Sequence, residues 1–198
     1  MRGYNHLLPY EKVFKEGMNT AVVGVGGLGH LAIQFLHKLG HKVTAFTQSK
    51  DKIPLIKQLG GDDVIISSDP EQMKAAKCSI EFLINTVPND IDFEQYIACV
   101  ERGGRFVQVG MPAKDDTLKL NVNSFVGNEV ELVGGVVGPR KNINNMIDFC
   151  NKNDVYPIVE EFPFEDLPKA FDKLENGRPF FRCVVNVKDY AEKNGLRK

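Results

Sequence analysis

Residues 20–40, TAVVGVGGLGHLAIQFLHKLG, constrain this chain more than any other stretch. An apolar run, Ala21 to Val23, enters a glycine cluster, and a helix-patterned segment, Leu28 to Leu39, leaves it. Gly24, Gly26 and Gly29 stand at the GxGxxG spacing. In a dinucleotide turn the first glycine makes the tight bend and the second lets the backbone approach a pyrophosphate. The third lets helix and strand pack closely. The helix start offers free N–H groups and a partial positive charge to the phosphates. The spacing alone describes many glycine turns. Its weight comes from the strand before it, the helix after it and a second strand pattern at His41 to Thr47.

The rest of the chain keeps that rhythm. Short runs rich in Val and Ile predict strands at 20–25, 42–47, 63–66, 80–85, 104–109 and 130–136. Helical patterns fall at 28–39, 50–59, 70–77, 91–101 and 140–152, and Gly40, Gly60 and Gly103 sit where helix caps belong. Strands apolar on both faces belong to a parallel sheet covered by helices on both sides. Right-handed crossovers then give an α/β fold, a doubly wound parallel sheet of the Rossmann type with strand order 3-2-1-4-5-6. This domain is expected over 18–153. Before it, Leu7, Leu8, Val13 and Phe14 predict an N-terminal hinge helix within 1–17. After it, 154–198 reads as a C-terminal αβ appendage: strand 156–163, helix 165–175, strand 180–187.

Composition narrows the function classes. Across 198 residues, 25 basic and 26 acidic side chains nearly cancel, so no basic excess points to nucleic acid. No apolar run reaches the ~18 residues of a membrane span, and no leader pattern opens the chain. Both readings point to a cytoplasmic protein. Cys78, Cys99, Cys150 and Cys183 form no CxxC pair and no metal spacing with histidine, so they read as thiols in a reducing compartment. His30 follows Gly29 at a helix start and reads either as a neighbour of cofactor phosphate or as a packing or capping residue.

The end of the second strand decides which dinucleotide fits. NAD-binding folds usually place an acidic side chain there, on the ribose hydroxyls. This chain offers Thr47, Gln48, Ser49 and Lys50, with Asp51 late enough to fall in the next helix's first turn. Hydroxyls and an ammonium suit a 2′-phosphate and a carboxylate repels it, so NADP is expected over NAD. Thr86, Val109 with Met111, and residues 135–139 follow the fourth, fifth and sixth strands, where ligands of such sheets bind.

The segments GVGGLGHLAIQF, INTVP, GGRFVQVGMP, GGVVGPRKNINNMIDFC and FFRCVVNV resemble the zinc-containing medium-chain alcohol dehydrogenases, most of all the cinnamyl alcohol dehydrogenase group. The resemblance runs from about Tyr4 to Val187. It implies that Gly24, Gly26, Gly27, Leu28 and Gly29 form the pyrophosphate turn. It puts Thr47, Ser49 and Lys50 in the 2′-phosphate region, and Thr86, Val109 and Met111 along the path from adenosine to nicotinamide. It assigns Val136 and Val137 to backbone that holds the carboxamide. Arg182 matches a basic residue that reaches the pyrophosphate, or else is a surface arginine.

The same resemblance implies what these residues lack. In the family the zinc ligands and the proton relay lie in a catalytic domain that precedes the cofactor domain. No cysteine here matches a ligand position, so no metal and no catalytic residue is expected in this chain. The expected function is the NADP(H)-binding portion of an alcohol dehydrogenase-like oxidoreductase, inactive by itself. The alternative is a truncated pseudoenzyme serving as a binding or structural subunit. Phe162, Phe164, Phe180 and Phe181 in the appendage, or the sixth-strand edge, would then receive a second protein chain.

Overall fold

The computed structural model describes residues 14–88, 91–111, 120–136, 138–176 and 179–196, apart from the side chain of Phe125. Its contacts divide into two compact units, one ending at Val155 and one beginning at Tyr156.

The first unit is a six-stranded parallel sheet in the order β3-β2-β1-β4-β5-β6. The chain runs β1 (Asn19–Val23), α1 (Gly29–Lys38), β2 (Lys42–Thr47), a 3-10 turn (Lys50–Lys52), α2 (Ile53–Gln58), β3 (Asp63–Ile66) and α3 (Pro70–Ala75). It continues through β4 (Ile80–Asn85), α4 (Phe93–Ile97), β5 (Val100–Gln108), α5 (Val122–Val126), β6 (Glu131–Gly134) and α6 (Arg140–Asn153). This is the doubly wound α/β sheet that the strand pattern predicts.

Side-chain alternation explains why the central strands read as unbroken apolar runs. On one face Ala21, Val23, Phe46, Leu83 and Phe106 pack with Met73, Tyr96 and Ile97. The neighbours of these strand residues, Val22, Ala45, Phe82 and Val107, point the opposite way and are equally buried. Phe35 of α1 meets Phe149 of α6 with ring centroids 5.9 Å apart. A strand covered on both sides has no polar face to show.

Helix ends follow their sequence signals. Gly40 and Gly60 follow the last turns of α1 and α2 at φ +83° and +96°, the left-handed conformation that closes a helix. Asp69 caps α3 by accepting from the Glu71 and Gln72 amides. Those hydrogen bonds hold its carboxyl below the usual range.

Gly103 is different. It does not cap a helix: α4 stops at Ile97, and β5 has already begun at Val100. The β4–β5 register jumps between the pairs Ile80–Val100 and Phe82–Arg105. Gly103 takes φ +74° inside that bulge and donates to the Asn128 carbonyl at 3.0 Å. The expected helix 91–101 is therefore shorter, because its last residues belong to a bulged strand.

The hinge helix expected within 1–17 lies outside the described residues up to 13. Residues 14–17 form an extended stretch and a turn. Phe14 packs on Phe82 and on the His41 ring, with centroids 4.8 and 4.7 Å away. His41 is buried and its Nδ1 has no hydrogen-bond partner. Burial lowers the pKa of this imidazole, with Glu81 opposing. The unfolded chain therefore takes up this proton more readily than the fold does. Stability is highest above the ordinary value of 6.5 and falls as the pH drops through and below it. We expect the melting temperature to fall between pH 7.5 and 5.5, and to fall less in His41→Gln. An equal fall in both proteins, followed by circular dichroism, would remove His41 from this account.

The second unit is a parallel pair, β7 (Glu160–Pro163) and β8 (Cys183–Asn186), joined through a 3-10 turn (Phe164–Asp166) and α7 (Leu167–Glu175). It is thus a small βαβ unit with its own sheet, followed by α8 (Val187–Lys193). The sequence reading lacks α8, although Asn186 caps it by accepting from the Lys188 and Asp189 amides. Of the four phenylalanines expected to be exposed, only Phe180 is. Phe181 is buried against it, and Phe164 packs on Tyr190. The exposed apolar residues here include Phe171, Leu174, Phe180, Val184 and Val187. No described helix is long and apolar enough to cross a membrane.

Candidate functional site

The carboxyl ends of the parallel strands open on one side of the sheet, and the glycine turn lies at its centre, where the strand order reverses. Each glycine of the motif meets a different constraint. Gly24 has φ +84°, and a Cβ on it would lie 2.5 Å from Val87 Cγ2. A Cβ on Gly29 would lie 1.8 Å from the Gly24 carbonyl oxygen, so helix and turn touch through backbone. A Cβ on Gly26 would meet no protein atom within 4 Å. That third case shows open space beside the backbone, available to something other than protein. Gly27 and Leu28, between these positions, are half-buried.

The helix behind the turn is left open toward that space. Leu28 at the N-cap of α1 gives no side-chain cap, and the first turn carries no acidic residue. An uncapped helix start and the positive end of its dipole favour an anion.

Three side chains hold the turn in shape. The buried Thr86 hydroxyl lies 3.0 Å from the Val23 carbonyl and 2.9 Å from the Gly24 carbonyl, and it donates there. His30 is fully buried, with Nδ1 3.0 Å from the Gly26 carbonyl, so that nitrogen carries the proton. His30 is thus a packing residue that fastens the turn from inside. Lys52 Nζ donates to the Val25 carbonyl at 2.9 Å.

Lys52 is the residue that sequence reasoning missed. Lys50 is exposed in the 3-10 turn, whereas Lys52, two residues on, reaches back to the glycines. The KDK triplet carried the signal, but strand spacing alone does not say which lysine turns inward. Thr47 ends β2 almost fully buried, and its hydroxyl accepts from the Ser49 amide at 3.1 Å. Ser49 is half-buried and Asp51 is exposed.

On the β4–β6 side, Val109 is buried, while Met111 and Val136 are 67 % and 76 % exposed at the strand ends. Val137 lies outside the described residues. Arg182 belongs to the second unit, where its backbone carbonyl accepts from the Glu160 amide at 2.8 Å. The described residues of the first unit therefore gather Gly24 to Gly29, Thr47, Ser49, Lys50, Thr86, Val109, Met111 and Val136 along one set of strand ends. Among the described residues no three His, Cys, Asp or Glu side chains come together as a metal ion would require. Cys99 is the most deeply buried thiol, and burial pushes it up to about 11.

Comparison with known proteins agrees with this geometry. A family model for zinc-binding dehydrogenases matches residues 27–152. A putative cinnamyl alcohol dehydrogenase of Oryza sativa is 36% identical over 174 residues, 87% of this chain and 48% of that protein. An aldehyde reductase of Synechocystis is 34% identical over 176 residues, 89% of this chain and 52% of that protein. The chain thus spans about half the length of the curated relatives it matches. Among solved structures, a cinnamyl alcohol dehydrogenase of Sorghum bicolor superposes with a TM-score of 0.86 at 28% identity, covering 94% of this chain and 52% of that one. The Helicobacter pylori enzyme complexed with NADP(H) gives 0.81 at 25% identity, covering 94% and 53%. A glycine turn with this packing, in this strand order and with these relatives, identifies the chain as a member of the zinc-binding dehydrogenase family, the zinc-type medium-chain alcohol dehydrogenases.

Proposed function

We propose that this chain is the cofactor-binding portion of an alcohol dehydrogenase-like oxidoreductase and that its first unit binds NADP(H). The observation that carries the reading is the contrast among the three glycines: two are tight against protein and one faces open space at an uncapped helix start. A pyrophosphate suits that space chemically, because it meets a helix N-terminus whose first turn carries no acidic residue. The similar fold of the Helicobacter pylori protein complexed with NADP(H) supports the ligand class.

The preference for the 2′-phosphate rests on the end of β2. Thr47 and Ser49 are neutral, Asp51 is turned out to solvent, and the Lys52 ammonium lies beside the glycine turn. We expect Lys52→Ala to weaken NADPH binding about tenfold, the size of one charge-assisted hydrogen bond, and to weaken NADH binding by less, since NADH shares the turn but has no 2′-phosphate. Thr47→Asp keeps an acceptor for the Ser49 amide and adds a negative charge, so it should shift the preference toward NADH. Isothermal titration of both cofactors against both variants checks this. Variants with an unchanged NADPH-to-NADH ratio would show that the end of β2 does not read the ribose.

Bound nicotinamide supplies hydride transfer, here between an alcohol and an aldehyde in the whole enzyme. The residues of this chain bind and orient. The glycine turn fixes the phosphates, and Thr86 and His30 keep the turn from opening. The ends of β4 to β6 form the floor of the second mononucleotide half. No proton step is assigned to these residues.

A further inference from the structure

A pair of amide side chains, Asn85 buried and Gln108 half-buried, sits at the β4 and β5 strand ends. Asn85, the last residue of β4, is fully buried and lies opposite Gln108, the last residue of β5. Asn85 Nδ2 donates to Gln108 Oε1 at 2.7 Å. Asn85 Oδ1 accepts from the Val87 amide at 3.1 Å. Gln108 Nε2 donates to the Gly110 carbonyl at 2.6 Å and approaches the Val87 carbonyl at 3.4 Å. The polarity is self-consistent. The Val87 N–H must meet an oxygen, which turns Nδ2 of Asn85 toward Gln108, whose Nε2 is then left for the two carbonyls.

This chain of donors ties together the two loops that leave the sheet on that side. They approach so closely that a Cβ on Gly110 would lie 2.1 Å from the Val87 carbonyl oxygen. Val87 in turn packs where a Cβ on Gly24 would fall, so the brace extends to the glycine turn. In a doubly wound sheet β1 to β3 form one mononucleotide half and β4 to β6 the other. The adenosine specificity residues lie at the end of β2, and the amide pair therefore lies under the nicotinamide half.

We infer that Asn85 and Gln108 are positioning residues that set the β4 and β5 loops for the nicotinamide half of the cofactor; the inference rests on the dinucleotide reading above. Gln108→Glu is nearly isosteric. It keeps an acceptor for Asn85 Nδ2 but turns an acceptor toward the Gly110 carbonyl. Asn85→Asp breaks the same polarity from the other end, since Gln108 must then donate to the carboxylate and face Gly110 with its oxygen.

The test uses the full chain, NADPH emission for the whole cofactor, and adenosine 2′,5′-bisphosphate for the adenosine half alone. Each variant is expected to weaken NADPH binding about tenfold. Each should also reduce the rise in NADPH emission at saturation, while binding of adenosine 2′,5′-bisphosphate stays within twofold of wild type. Retained binding of that half-ligand also shows that the variants are folded. NADPH binding within twofold of wild type in both variants overturns the inference. So does an equal loss of both ligands, which would mark a general structural role. A wild-type chain that binds neither NADPH nor the half-ligand overturns the cofactor reading itself, and this inference with it.

Discussion

Gly29→Ala is expected to lower the stability of the first unit by about 3 kcal/mol or more, a fall in melting temperature of roughly 6–12 °C. The added methyl would lie 1.8 Å from the Gly24 carbonyl oxygen, well inside van der Waals contact. What it meets is backbone, and that backbone is pinned. Gly24 donates to the Phe46 carbonyl at 3.1 Å, and its own carbonyl accepts from Thr86. Gly29 is also the first residue of α1, whose Leu31, Ala32, Phe35 and Leu36 are core. To relieve the clash the helix must shift away from the sheet. Thermal denaturation followed by far-ultraviolet circular dichroism measures the cost. A loss below about 1 kcal/mol would mean that the turn and α1 are not held in this close contact.

Gly26→Ala should do the opposite to the fold and worse to the site. A Cβ there meets no protein atom within 4 Å, and the residue is not in the left-handed region. The fold should be unchanged or stabilised by roughly 0.4–1 kcal/mol, because alanine restricts the unfolded chain more than glycine does. The methyl would nevertheless stand in the space proposed above for the pyrophosphate, beside the uncapped start of α1. We expect NADPH affinity to fall about a hundredfold, roughly 2.7 kcal/mol. Titration by NADPH fluorescence, with a melting curve on the same sample, separates the two effects. A variant that melts like wild type and binds like wild type would show that the pyrophosphate does not sit at this turn. The two glycines, three residues apart in the motif, thus separate a folding constraint from a binding constraint.

Most of the architecture is legible in the residues. Alternation of glycine-bounded Val and Ile runs with helical patterns fixes six parallel strands, and the reversal at β1 follows from right-handed crossovers. The legible site residues are those whose type is demanded by backbone geometry, as at Gly24 and Gly29. Positions that depend on side-chain direction are not legible in this way. Lys50 and Lys52 look equivalent in sequence, and only the 3-10 turn decides that Lys52 reaches Val25. Asn85 and Gln108 are 23 residues apart, and their meeting depends on the register of β4 against β5. That register includes a bulge which Gly103 disguises as a helix cap. In the second unit, the parallel pairing of β7 with β8 and the helix after Asn186 depend on a few short, half-exposed residues. No strong periodicity announces them.

The central claim is that the glycine turn of this chain holds a phosphorylated nicotinamide dinucleotide. Thermal shift of the wild-type chain in the presence of NADPH tests it most directly, with NADH alongside. At a hundred times the dissociation constant, binding to the folded state alone adds about 2.7 kcal/mol, which raises the melting temperature by roughly 5–10 °C. The account predicts a saturable rise of that size with NADPH, and a smaller one with NADH at the same concentration. No rise with either cofactor at millimolar concentration would contradict it.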